Sequence, residues 1–214
     1  MFTGEGHLDI SARDFLTAAR ADVRKAVNDF MLGGTPRAFT NYGDYCKFLR
    51  ELGYRLHVHP RSIVIRGSTL LGYSTSPKRD KVWKKMRDGL DGSRPSDIDV
   101  AIVDVDYYDR MDNEATRWDA RQGVPALSTI DSEKYLRRRS LRRYYCCDDH
   151  ALPPGTCVPH HDVLESFDTA PFCGVRRPLS AFVFRDWWGL RGKAELDIRE
   201  LCDKIDRDQL PEPP

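Results

Sequence analysis

The sequence predicts an α/β fold of the α+β kind: a small mixed β-sheet, helices packed on one face of it, and extra helices at both ends. Three observations predict it. Two short β-branched runs, at 62–66 and 98–103, have strand length and border polar features. Apolar residues recur at helical spacing on both sides of these runs. The chain of 214 residues, 40% hydrophobic and 31% charged, is long and apolar enough to bury one real core. A single domain over 1–214 is expected. It divides into a helical part (1–60), the two strands with an insertion at 74–96 (61–106), and a helical and irregular part (107–214) with a third strand at 179–186.

Taken in order, residues 11–32 read as a helix. Ser11 is its N-cap, with Asp14 three residues on. Phe15, Ala18, Ala19, Val23, Ala26, Val27, Phe30 and Met31 form the apolar stripe, with a polar lapse at Asp22. Gly33-Gly34 ends it. A second helix is expected over 41–52, stopped by Gly53. His57 and His59 alternate with Leu56 and Val58 and read as edge-strand histidines. The first strand, 62–66, stops at Gly67. The polar stretch 74–96 holds Pro77, Gly89, Gly92 and Pro95, and reads as a loop with one helical turn around Trp83. The second strand covers 98–103, and a helix or loop follows Asp106. Residues 131–145 read as a basic helix, 146–178 as irregular, 189–205 as a closing helix and 211–214 as a frayed tail.

The charge balance excludes some classes. Lys and Arg number 34, Asp and Glu 33, for a net charge of +1. That argues against a uniformly basic nucleic-acid coat and against an acidic tail protein. No apolar run approaches the roughly 18 residues of a membrane span. The start lacks a basic end followed by an apolar core, so a cytoplasmic location is expected, with the six cysteines reduced.

The chemistry is carried by two segments. In Ser96-Asp97-Ile98-Asp99, strand alternation puts Asp97 and Asp99 on one face, with Cβ atoms about 6 to 7 Å apart. Ile98, Val100 and Ile102 take the other, core face. Two carboxylates that close repel, and a divalent cation offsets the repulsion. Mg²⁺ suits oxygen ligands, and it commonly takes one or two carboxylates plus substrate phosphates. In Arg66-Gly67-Ser68-Thr69, the glycine permits a tight turn and close approach of a ligand, and Ser68 adds a hydroxyl.

Gly67-Ser68 followed by Asp97-x-Asp99 resembles the signature of the DNA polymerase β-type nucleotidyltransferase superfamily, including the serine before the first aspartate. The resemblance covers residues 64–103, less than a fifth of the chain. It implies a nucleotidyltransferase core and Mg²⁺- or Mn²⁺-dependent transfer of a nucleotide from an NTP, such as ATP, to an acceptor hydroxyl. Asp97 and Asp99 would hold the metal. Gly67, Ser68 and Thr69 would receive phosphates, and Arg66, Arg185 or a lysine of the insertion would neutralise pyrophosphate. The two motifs stand further apart here than is usual, so the insertion must loop out between them. The family's third carboxylate is not obvious. Asp186 is the first candidate and Asp162 the second, with Asp104 and Asp106 distant ones.

Two basic segments suggest the acceptor. Residues 78–88 hold six basic residues, among them Lys81, Lys84 and Lys85, around Trp83. Residues 134–143 hold six more, including Arg138, Arg139 and Arg142, with Tyr135 among them and Tyr144 and Tyr145 next to them. Basic side chains neutralise phosphates, and an indole stacks on bases. RNA, and tRNA 3′ ends in particular, is therefore the first acceptor. A protein or small molecule such as an antibiotic is the alternative, and a non-catalytic nucleotide-binding module the second. Small members of the superfamily often act as toxins or in defence, which implies a cognate antitoxin or immunity protein as a further partner. No membrane partner is expected. Zinc is not expected either: of Cys146, Cys147, Cys157, His160, His161 and Cys173, only Cys157 and His160 have ligand-like spacing.

Overall fold

A computed structural model describes residues 10–32, 35–122, 144–146 and 158–214, with side chains for all of these except 114–122, 144–146 and 158–161. The protein is a mixed α+β structure built on one four-stranded sheet. The strands are β1 (Ile63–Arg66), β2 (Ile98–Val103), β3 (Tyr144–Cys146) and β4 (Leu179–Phe184), in the order β1-β2-β4-β3. β2 runs antiparallel to β1 and parallel to β4, and β3 is antiparallel to β4. The helices are α1 (Ala12–Ala21), α2 (Val23–Ala26), α3 (Tyr42–Leu56), α4 (Ser68–Leu71), α5 (Val105–Gln122), α6 (Val158–Ser166), α7 (Ala170–Cys173) and α8 (Trp187–Asp206).

The registers sort the strand residues onto two faces. Ile63, Ile65, Ile98, Val100, Ile102, Ala181 and Val183 enter the main core with Phe15, Phe48, Leu52 and Ile198. Val64, Ala101, Val103 and Phe184 form a smaller cluster on the other face, closed by Leu190 of α8. Helical material therefore covers both faces, not one. The apolar alternation of β2 made its outer face look polar, but only its first residues are.

Several helix boundaries differ from expectation. The helix expected over 11–32 breaks at Asp22. That carboxylate accepts from the Lys25 N–H and caps α2, so a side chain competing for backbone donors resets the helix. Residues Val27–Met31 then widen into a π-type turn. Ser11 caps α1 as expected, accepting from the Asp14 N–H at 3.1 Å. α3 does not stop at Gly53. A Cβ on Gly53 would stand 2.8 Å from the Val58 carbonyl, so the glycine permits the chain to fold back closely after the helix. The helix ends instead on His57 in the left-handed region, and His59 Nδ1 accepts from the Arg61 N–H to start a short 3₁₀ turn. Neither histidine lies on an edge strand.

The chain after 130 also departs from the expected pattern. Tyr144–Cys146 is a strand, not the end of a basic helix. Residues 158–173 form α6 and α7 where irregular chain was expected. The tail is tied down: Pro211 accepts a hydrogen bond from the Trp83 indole, and Glu212 pairs with Arg20 at 2.9 Å. Among the described residues, no helix is long and apolar enough to cross a membrane.

Candidate functional site

The sheet brings the two motifs together. Arg66 pairs with Asp99 across β1 and β2, which sets Gly67 against the aspartate. Gly67 has φ +70° and ψ −155°, a conformation that only glycine adopts readily. A Cβ there would collide with Asp99 Oδ2. The carboxylate thus occupies the space a side chain at 67 would fill. On its other flank, Ser180 of β4 donates from Oγ to Asp99 Oδ1 at 2.6 Å. Asp97, just before the first residue of β2, is 49% exposed, with Arg94 at 3.6 Å.

The insertion between the motifs folds as two closed loops. Ser74 and Trp83 exchange backbone bonds with Lys84 and Ser74 carbonyls, and Met86 N–H returns to the Gly72 carbonyl at 2.8 Å. One turn, from Lys78 to Val82, lies at its tip. The second loop is sealed where Ser96 N–H meets the Arg87 carbonyl and Arg87 N–H meets Ser96 Oγ. Arg177 grips this seam. It is 3% exposed and donates to the carbonyls of Arg87 at 2.8 Å and of Ser96 and Asp88 at 3.2 Å. Its Nε has no hydrogen-bond partner, and burial lowers the guanidinium's pKa from its usual range. The next residue, Pro178, accepts from the Ile98 N–H at 2.8 Å, so Arg177 and its neighbour fix both sides of Asp97.

Other expected site residues are placed differently. Ser68 is half-buried and follows Gly67 as the first residue of α4. Thr69 is fully buried and turns its Oγ1 back to the Arg66 carbonyl at 3.2 Å, so its hydroxyl serves the fold. Arg66 shares the face of Asp99, but its guanidinium lies over the rings of Phe182 and Phe184, at 5.4 and 5.6 Å, and 3.9 Å from Asp197.

Asp186 and Arg185 are not brought to the pair. β2 and β4 are parallel, with Asp99 level with Ser180. Asp186 lies six residues further on, about 20 Å along the strand direction. There it caps α8 by accepting from the Gly189 N–H at 2.7 Å, and Arg185 pairs with Asp109 at 3.2 Å. Asp104 sits at that same far end and accepts from the Tyr107 N–H; Asp106 follows it in the first turn of α5. Asp162 is exposed on α6.

Trp83 does not offer a stacking surface. It is 7% exposed, packs on Tyr73 and donates to the Pro211 carbonyl at 2.9 Å. Lys81, Lys84 and Lys85 around it are exposed. Arg138, Arg139 and Arg142 lie outside the described residues, as do the side chains of Cys146, Cys147, Cys157, His160 and His161. Cys173 is a free thiol whose pKa is pushed up to about 12, mainly by burial.

Sequence reasoning missed Ser180, Arg177 and Arg94. Ser180 is the second residue of an apolar strand, and nothing local marks Arg177 as buried. Asp97 and Asp99 offer hard oxygen donors of the kind Mg²⁺ takes along with substrate phosphates. Among the described residues, no group of three or more His, Cys, Asp or Glu stands close enough to hold a metal. Fold and site define a mixed α+β protein that displays a carboxylate pair at one end of its sheet, against a Gly-Ser turn. No protein-family model matches the chain, and no curated protein or solved structure matches it either.

Proposed function

We propose that this protein is a nucleotidyltransferase of the DNA polymerase β type, moving a nucleotide from an NTP to an acceptor hydroxyl. The observation that carries this reading is the packing of Gly67 directly against Asp99. Two motifs separated by the whole insertion meet where a phosphate donor and a cation would both be needed.

Asp97 and Asp99 would hold Mg²⁺ or Mn²⁺. When bound, such a metal neutralises charge on the triphosphate and on the attacking oxygen. Gly67 lets the Asp99 carboxylate sit directly against the turn, and the Ser68 hydroxyl would donate to a phosphate bound there. Arg94, beside Asp97, takes the charge-neutralising role expected of Arg66, Arg185 or a lysine of the insertion. No covalent intermediate is needed, because positioning and charge stabilisation supply most of the rate in phosphoryl-type transfers. RNA remains the first acceptor. Lys81, Lys84 and Lys85 supply exposed charge on the insertion, while the buried Trp83 contributes none of the stacking. A toxin role with a cognate antitoxin or immunity protein rests on the family resemblance.

The test incubates the protein with each α-labelled NTP, Mg²⁺ and cell extract, then separates RNA from protein and small molecules. Label is expected on RNA, and the Asp97→Ala, Asp99→Ala double variant is expected to lose at least about a thousandfold in rate. Label that survives the double variant refutes the mechanism. Label on protein or small molecules alone moves the reaction to adenylyl-type transfer.

A further inference from the structure

We infer that Ser180 is a positioning residue for Asp99, holding that carboxylate in the orientation in which it binds the cation. The inference rests on the nucleotidyl-transfer reading of the site.

Ser180 stands level with Asp99 in the parallel β2–β4 register, on the same face of the sheet. Its Oγ donates to Asp99 Oδ1 at 2.6 Å in a half-buried setting. A hydrogen bond from a hydroxyl to an ionised carboxylate is of the short, strong kind. On the opposite flank, Oδ2 fills the space beside the Gly67 Cα. β4 thus holds one oxygen and the turn after β1 confines the other, so the carboxylate plane is set from both sides. Asp97 has no such frame: it is 49% exposed, and its ion pair is with an arginine that is itself 71% exposed.

The identity of the side chain also matters. A carboxylate at 180 would face Asp99 as a like charge and would need the cation to hold the strands together. A serine adds a donor and no charge. It orients the ligand in the way outer partners of metal ligands do, where their loss typically costs ten- to a hundredfold in affinity.

The test measures Mn²⁺ binding to the full chain by electron paramagnetic resonance, with and without a non-hydrolysable ATP analogue. Ser180→Ala is expected to weaken Mn²⁺ binding about tenfold while the melting temperature stays close to wild type. Ser180→Thr restores the hydroxyl and is expected to recover most of the affinity, which a purely structural role for the position would not produce. Equal affinity in wild type and Ser180→Ala overturns the inference, as does Ser180→Thr binding as weakly as Ser180→Ala. Those outcomes leave the wild-type site intact. Absence of Mn²⁺ binding to the wild type, with the analogue present, overturns the nucleotidyl-transfer reading and the inference together.

Discussion

The two ends of the sheet use the same residue types for opposite purposes. At the far end of β2 and β4, the carboxylates of Asp104, Asp186 and Asp109 are each engaged: the first two cap α5 and α8, and the third pairs with Arg185. At the near end, Asp97 and Asp99 cap no helix. One is half exposed, and the other is framed by a glycine and a serine. An N-cap spends its carboxylate on the backbone donors of a helix and leaves little for a ligand. Carboxylates on a strand that begins at a loop have no helix to serve. The far end's carboxylates hold the helices in place, while the near end's serve no helix.

Three substitutions test this contrast. The largest effect on stability is expected from Arg177→Met. It removes three donors from carbonyls at the loop seam, and leaving such groups unsatisfied costs about 3 kcal/mol in total. Urea unfolding should show a lower midpoint, and nucleotidyl transfer should fall because Ser96 and Asp97 lose their anchor. An unchanged midpoint would mean that the loop does not need the clasp. Gly67→Ala comes next. It forces a residue with a Cβ into a positive-φ conformation and displaces Asp99, at a cost of about 2 kcal/mol. Transfer activity should drop more than stability does, since the displaced group is the proposed metal ligand. Activity equal to wild type would separate Gly67 from the site. The smallest effect is expected from Asp186→Ala, which removes a helix cap worth about 1 kcal/mol. Thermal melting should register it while transfer activity stays unchanged. A large activity loss in this variant would join the far end to the site and dissolve the contrast.

Much of the frame was legible in the chain. β2 and the core of β1 fall on β-branched runs, because such side chains fit a pleated, half-buried surface. Ser11 announced its cap through the residue three positions on. Other elements carried misleading local signals. Gly53 looked like a helix stop, but it is a contact point for the returning chain, which no local pattern records. Trp83 sits among lysines in a polar stretch, yet the distant tail supplies a carbonyl for its indole and buries it. Asp186 follows a strand like a catalytic acid, but the residues after it start a helix and claim its oxygen. Residues 158–173 are rich in proline, cysteine and histidine, and they still form two helices packed against α3 and the sheet. Packing outweighed weak propensity there.

The sequence by itself determined that Ile98, Val100 and Ile102 face the core and Asp99 the other side of β2, since strand side chains alternate with a period of two. It also determined that the chain turns sharply at Gly67, where only glycine tolerates the backbone. Tertiary structure alone decided that these features touch and that a serine, not a third carboxylate, stands beside Asp99. It also decided that Asp186 lies at the wrong end. Those outcomes depend on the register and direction of β4, a strand about eighty positions further along the chain. A parallel pairing set by long-range packing leaves no mark in the local pattern of either strand.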